Sequence, residues 1–189
     1  MRRHTLVVIG LSGLMIAATA FADDATKATG SAKSSTAPAA TAAAPAVPSA
    51  VPATGHAMYL PGDLKWSDAP ASLPKGAKLA VLHGDPNAPG IFAMRLSLPA
   101  GYKVPPHWHP ADEHVTVISG EFYMGMGDTW DEAKGHAMPV GAITIMPKGT
   151  RHFAWTKVET VVQLHAIGPW GINYVNPQDD PRNQKQATN

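Results

Sequence analysis

The hardest constraint on this chain is a succession of short strand-like segments between residues 91 and 167. "IFAMRLSL", "HVTVIS", "EFYMGM", "AITIMP" and "TVVQLHAI" are rich in β-branched or aromatic residues and are set apart by Gly, Pro and Asp clusters. No stretch carries a sustained helical period of apolar positions, so closely spaced strands punctuated by turns are what this pattern permits. The expectation is an all-β sandwich, jelly roll or barrel, because such closure protects strand edges from pairing with other chains.

The flanking sequence sets the limits of that domain. Residues 1–22, "MRRHTLVVIGLSGLMIAATAFA", combine a basic start, an apolar run and an Ala20-Phe21-Ala22 cleavage signature, which reads as a secretory signal peptide. Gly10, Ser12 and Gly13 interrupt the apolar run and argue against an uncleaved membrane anchor. Arg2 and Arg3 raise twin-arginine export, although His4 and Thr5 fit that signal poorly. The expected location is periplasmic or secreted.

Residues 23–55 hold 12 Ala, 5 Thr, 4 Ser and 4 Pro and no aromatic residue. Alanine methyls bury too little surface to offset about 1–2 kcal/mol of backbone entropy per residue, so this segment is expected to be a disordered tether. Pro38, Pro45, Pro48 and Pro52 break any helix the alanines would favour. The folded domain is placed at residues 56–181, followed by a polar tail at 182–189.

Charge and cysteine content remove several function classes. Cleavage after Ala22 leaves 13 Lys and Arg against 14 Asp and Glu, with no basic run, so no footprint for nucleic acid or for stable membrane adhesion is present. The absence of cysteine excludes disulfides and a lipoprotein anchor, leaving the fold to its own core, with a metal as a further candidate support.

The chemistry concentrates in "GYKVPPHWHPADEHVTVISG", residues 101–120. Side chains two or four apart on a strand point the same way, so His107, His109, Glu113, Val115 and Val117 are expected on one inward face. In "GAITIMPKGTRHFAWT", Pro147 and Gly149 shape a turn that delivers His152 to the start of another strand. Three imidazoles and one carboxylate form a donor set suited to a divalent transition metal.

Both segments resemble the two motifs of the cupin superfamily. The first runs Gly101, five residues, His107-x-His109, three residues, Glu113, six residues, Gly120, and is complete. The second runs Gly141, five residues, Pro147-x-Gly149, two residues, His152, and departs only at Thr156, where the family usually has Asn. The resemblance implies a double-stranded β-helix, the cupin jelly-roll barrel, with His107, His109, Glu113 and His152 as ligands. It implies iron or manganese first among the metals, with nickel, zinc, cobalt and copper also compatible with the donors. An ion that accepts more than four donors keeps open positions, the arrangement catalysis needs.

Other residues are placed by phase. Gln163, His165 and Ile167 share one side of the last strand, so His165 is a candidate inward group, set against a structural histidine on the outside. Phe122, Met124 and Met126 are assigned to the core, and His114 and Trp108 to the side away from the ligands. His56, His83 and His136 are assigned to solvent, and Arg95 to an outward position rather than to substrate. Trp155, Trp170 and Tyr174 are read as barrel exterior, which suggests a homodimer by analogy. "GPWGINYVNPQDDPR" is read as an ordered extension that covers a barrel edge or lids the pocket.

Two function classes follow. One is a metal-dependent enzyme, an oxygenase before a decarboxylase or isomerase, acting on a small oxygenated molecule. The other is a non-catalytic cupin that binds or senses a small molecule or metal, since one fold hosts both.

Overall fold

The computed structural model describes residues 55–184. The signal peptide, the tether up to residue 54 and the end of the tail therefore lie outside the described residues.

Eleven strands follow in order: β1 (Ser67–Asp68), β2 (Lys78–His83), β3 (Gly90–Leu98), β4 (Lys103–Trp108), β5 (Glu113–Ser119), β6 (Phe122–Met126), β7 (His136–Met138), β8 (Ile143–Met146), β9 (His152–Thr156), β10 (Thr160–Gly168) and β11 (Asn173–Tyr174). They form two antiparallel sheets, β1-β2-β3-β10-β5-β8 and β11-β4-β9-β6-β7. Consecutive strands repeatedly fall in opposite sheets, as β3 and β4 do, so the chain winds around a common interior in the expected all-β jelly roll.

The interior is built by the two-residue period of the strands. On β3 the buried side chains are Phe92, Met94, Leu96 and Leu98, and on β10 they include Val162, Leu164 and Ala166. Val104, Phe122, Met124 and Ala154 of the second sheet join the same cluster, so the two sheets share one core.

That period also decides the fate of His165. The inward positions of β10 are 160, 162, 164, 166 and 168, so Gln163, His165 and Ile167 lie on the outer face. The candidate inward role for His165 is thereby corrected: the three residues do share a phase, but it is the phase opposite to the core. On that outer face Arg95 Nε donates to Gln163 Oε1 at 2.9 Å, and Gln163 Nε2 lies 3.4 Å from His165 Nε2. His114, exposed as expected, stands opposite His165 in the ladder.

β9 departs from alternation, with all five residues buried. Its outer side is covered by an aromatic group in which Trp155 stacks on Tyr123 and on Phe153, and Trp130 packs against both Trp155 and Phe153. Gly125 makes this approach feasible, since a Cβ there would sit 2.2 Å from the Phe153 ring. Trp155 is thus internal, and Tyr174 is also buried, which withdraws these residues from the exterior surface inferred for them. Met126, assigned to the core, is 50% exposed at the end of β6.

Candidate metal centre

The strands bring the motif histidines together by a local irregularity that alternation does not anticipate. In the β4–β9 ladder, Val104 pairs with Ala154 and His107 with His152, so β4 carries one residue more than its partner across Pro105 and Pro106. This bulge lets Val104 and His107, three positions apart, both face inward. β4 ends at Trp108, a turn carries His109, and β5 begins at Glu113, so the inward face is assembled from two strands and a turn, not one continuous strand.

Backbone bonds staple that turn to the second motif. Gly149 N donates to His109 O at 2.9 Å, and Lys148 N donates to Asp112 Oδ1 at 2.8 Å. Gly149 takes φ +77°, a left-handed conformation that glycine adopts without steric cost. The residue that departs from the motif, Thr156, is buried and ties β9 to the β3–β4 connection. Its Oγ1 donates to Pro99 O at 2.6 Å and accepts from Tyr102 N at 3.1 Å.

His107, His109 and His152 present ring nitrogens that all lie within 4.8 Å of one another, and all three rings are buried. Glu113, also buried, closes a further side: its Oε1 lies 3.6 Å from His109 Nε2 and its Oε2 lies 3.5 Å from His152 Nε2. Each imidazole is oriented through its other nitrogen. The Nδ1 atoms face the carbonyls of Pro105 at 2.7 Å, Gly171 at 2.7 Å and Thr150 at 3.0 Å. A carbonyl only accepts, so Nδ1 carries the proton in all three rings and each Nε2 offers a lone pair to the centre.

Electrostatics within the described residues leave this cluster without compensation. Burial pushes Glu113 up to about 8, and burial lowers His109 to about 3 against the opposing pull of its bond to Gly171. Burial, reinforced by His152 and His109, holds His107 well below the usual imidazole range, and burial lowers His152 as well. His109 Nε2 is buried with no hydrogen-bond partner. Three neutral imidazoles, one orphaned nitrogen and a carboxyl that cannot ionise cheaply are the donor chemistry that a divalent cation satisfies.

The extension at residues 168–182 contributes more than was legible. β11 adds to the edge of β4, pairing Tyr174 with His107. Trp170 stacks on His109 with ring centroids 4.1 Å apart, and Gly171 supplies the carbonyl that fixes His109. Of the two expected alternatives the segment covers a barrel edge, and its Trp170, Gly171 and Ile172 also line the pocket. Arg182, assigned to the polar tail, donates to Ile172 O at 3.1 Å and lines the same cavity. No spacing rule marks Trp170, Gly171 or Arg182; only the density of large apolar residues around position 172 signals an ordered segment.

No family model matches the chain. The chain is 32% identical over 92 residues to germin-like protein subfamily 3 member 2 of Arabidopsis thaliana, a match covering 48% of this chain and 39% of that protein. Germin-like protein subfamily 1 member 1 of the same plant is also 32% identical over 92 residues, with 41% of its length covered. The chain spans about two fifths of the length of these curated relatives. Among solved structures, the polyketide cyclase RemF from Streptomyces resistomycificus superposes with TM-score 0.56 at 17% identity, over 67% of this chain and 90% of that one. The chain has the cupin fold. A candidate acetylacetone dioxygenase from Methylibium petroleiphilum superposes on this chain with TM-score 0.51 at 20% identity, over 69% of this chain and 89% of that one. These similarities establish the fold of the chain and leave its chemistry to its own residues.

Proposed function

We propose that His107, His109 and His152, through their Nε2 atoms, and Glu113, through its carboxylate, hold one divalent transition metal ion. Iron or manganese leads, with nickel, zinc, cobalt or copper compatible with the same donors. A bound ion of this kind supplies Lewis-acid polarisation of an oxygen donor and, when redox-active, electron exchange with dioxygen. The protein's own part is to pre-set three imidazole tautomers through backbone carbonyls, to hold a carboxylate against two of the rings, and to exclude bulk water with an apolar wall.

On this reading the chain is an exported, metal-dependent enzyme of the oxygenase type acting on a small oxygenated organic molecule. The observation that carries it is that the four donors face a cavity of about 420 Å³, large enough for an organic ligand beside an ion. A second reading, a cupin that binds a small molecule without converting it, has its own support. Among the described residues, the one polar side chain on the fully buried part of the wall apart from the four donors is Tyr102, whose hydroxyl donates to Pro74 O at 2.5 Å, so that part of the wall offers no free acid or base to the ligand.

Oxygen uptake by the metal-loaded protein, measured with catechols, diketones and hydroxy acids, separates the two. Turnover of any of them supports the enzyme; a metal-filled protein inert to all supports the binding module. The homodimer expectation, no longer resting on aromatics, finds its support in Ile91, Ile143, Ile145 and Ile167 exposed on the outer face of the first sheet.

A further inference from the structure

The wall of the cavity is uneven in polarity. Leu96, Val162 and Leu164 from one sheet face Val104, Phe122 and Met124 from the other, and all are buried. Among the described residues the four candidate ligands form the polar patch of the buried wall, while half-buried Ser72 and Trp170 also line the cavity. The Tyr102 hydroxyl is already engaged with Pro74 O. The exposed lining residues are Ala71, Asn87 and Arg182, which mark where the cavity opens. Arg182 is paired there with Asp180 at 2.6 Å.

Two consequences follow for any occupant. A hydroxyl placed against the aliphatic wall loses its water and gains no partner, which lowers affinity by about tenfold or more per group. A methylene placed there raises affinity about fourfold, the equivalent of about 0.8 kcal/mol. At the polar patch, three neutral imidazoles and one carboxylate around a divalent ion leave a single net positive charge, which matches one anionic oxygen group.

We propose that this cavity selects an apolar, unhydroxylated carbon skeleton bearing one anionic oxygen head, and rejects sugars, sugar acids and polyols. The selection for the head rests on the metal reading above; the selection for the body rests on the wall alone. Met94 and Met124 give that wall a flexible surface, so body length and volume, more than a specific outline, determine fit.

Calorimetric titration of the metal-loaded, full-length protein with straight-chain carboxylates from butanoate to dodecanoate, with gluconate as comparator to hexanoate, tests the proposal. Affinity is expected to rise about fourfold per methylene and then level off when the cavity is full, with gluconate at least a hundredfold weaker than hexanoate. Ala154→Leu should bring the levelling point to shorter chains and Leu96→Ala should move it to longer ones. The wild-type series stands by itself if either variant fails to fold. Affinity independent of chain length, or gluconate binding as well as hexanoate, overturns the proposal. Repeating the series after chelation separates the two readings. Length dependence that survives metal removal keeps the apolar body and removes the ion from recognition of the head. Metal-dependent binding without length dependence overturns the apolar body and leaves the metal centre standing.

Discussion

Replacing Glu113 by glutamine isolates the proton that the metal must displace. Without a cation, burial holds this carboxyl at about 8 against an ordinary 4.5, so at pH 7 about nine tenths of it is protonated. The histidines are lowered, His109 to about 3, and arrive already neutral. Metal binding at pH 7 should therefore release about 0.9 proton, nearly all of it from Glu113, and apparent affinity should rise about tenfold per pH unit from 6.5 until it flattens above 8. Titration calorimetry in buffers of different ionisation enthalpy counts that proton directly. The Glu113→Gln protein should release almost none and should bind with an affinity flat across the same window.

The same groups set the stability of the metal-free protein, with opposite signs. Glu113 is raised in the folded state, so its contribution is complete below 4.5 and is lost as pH climbs to about 8, at about 1.4 kcal/mol per unit. The histidines are depressed, so theirs is present above 6.5 and lost as pH falls. Between pH 6.5 and 8 the Glu113 contribution alone should fall by about 1.5–2 kcal/mol, partly offset by the last of the histidine gain, and glutamine should abolish the Glu113 part. Proton release that is absent in the wild type, or unchanged in the variant, would refute the reasoning.

Other outcomes follow from the packing. Thr156→Val leaves Pro99 O without its 2.6 Å bond and should cost about 1–3 kcal/mol in chemical denaturation without altering metal content. Gly125→Ala drives a methyl into the Phe153 ring and should destabilise by about 1–3 kcal/mol, with a changed near-ultraviolet signal from the Trp130–Phe153–Trp155 group. Trp170→Ala removes the ring stacked on His109 and should weaken metal binding about tenfold or more, measured by competition with a chelator, while the core strands keep their hydrogen-exchange protection.

How much of this was legible depended on whether the signal was periodic or depended on one turn. Gly- and Pro-bounded strands gave the fold class, and the alternation of β3 and β10 appears in the structure much as written in the sequence. Alternation alone does not say which phase faces inward, which is why His165 could be given its strand partners but not its side. The spacing of the motifs brought His107, His109, Glu113 and His152 to one point, yet the reason they meet, an extra residue at Pro105 and Pro106, is a tertiary adjustment that simple alternation would have excluded. Trp155 looked like exterior because strand phase places it outward; a loop carrying Trp130 covers it, and such coverage is not encoded in the strand. Trp170 and Arg182 reach the cavity through the path of the C-terminal extension, which no local pattern fixes.

The most direct test of the central claim is the metal content of the protein purified from its own compartment and dialysed, read by plasma mass spectrometry beside a His152→Ala variant. One equivalent of a divalent transition metal per chain, lost in the folded variant, is the expected result. A folded wild-type protein that binds no such ion under any loading condition, or a variant that retains the full equivalent, would contradict it.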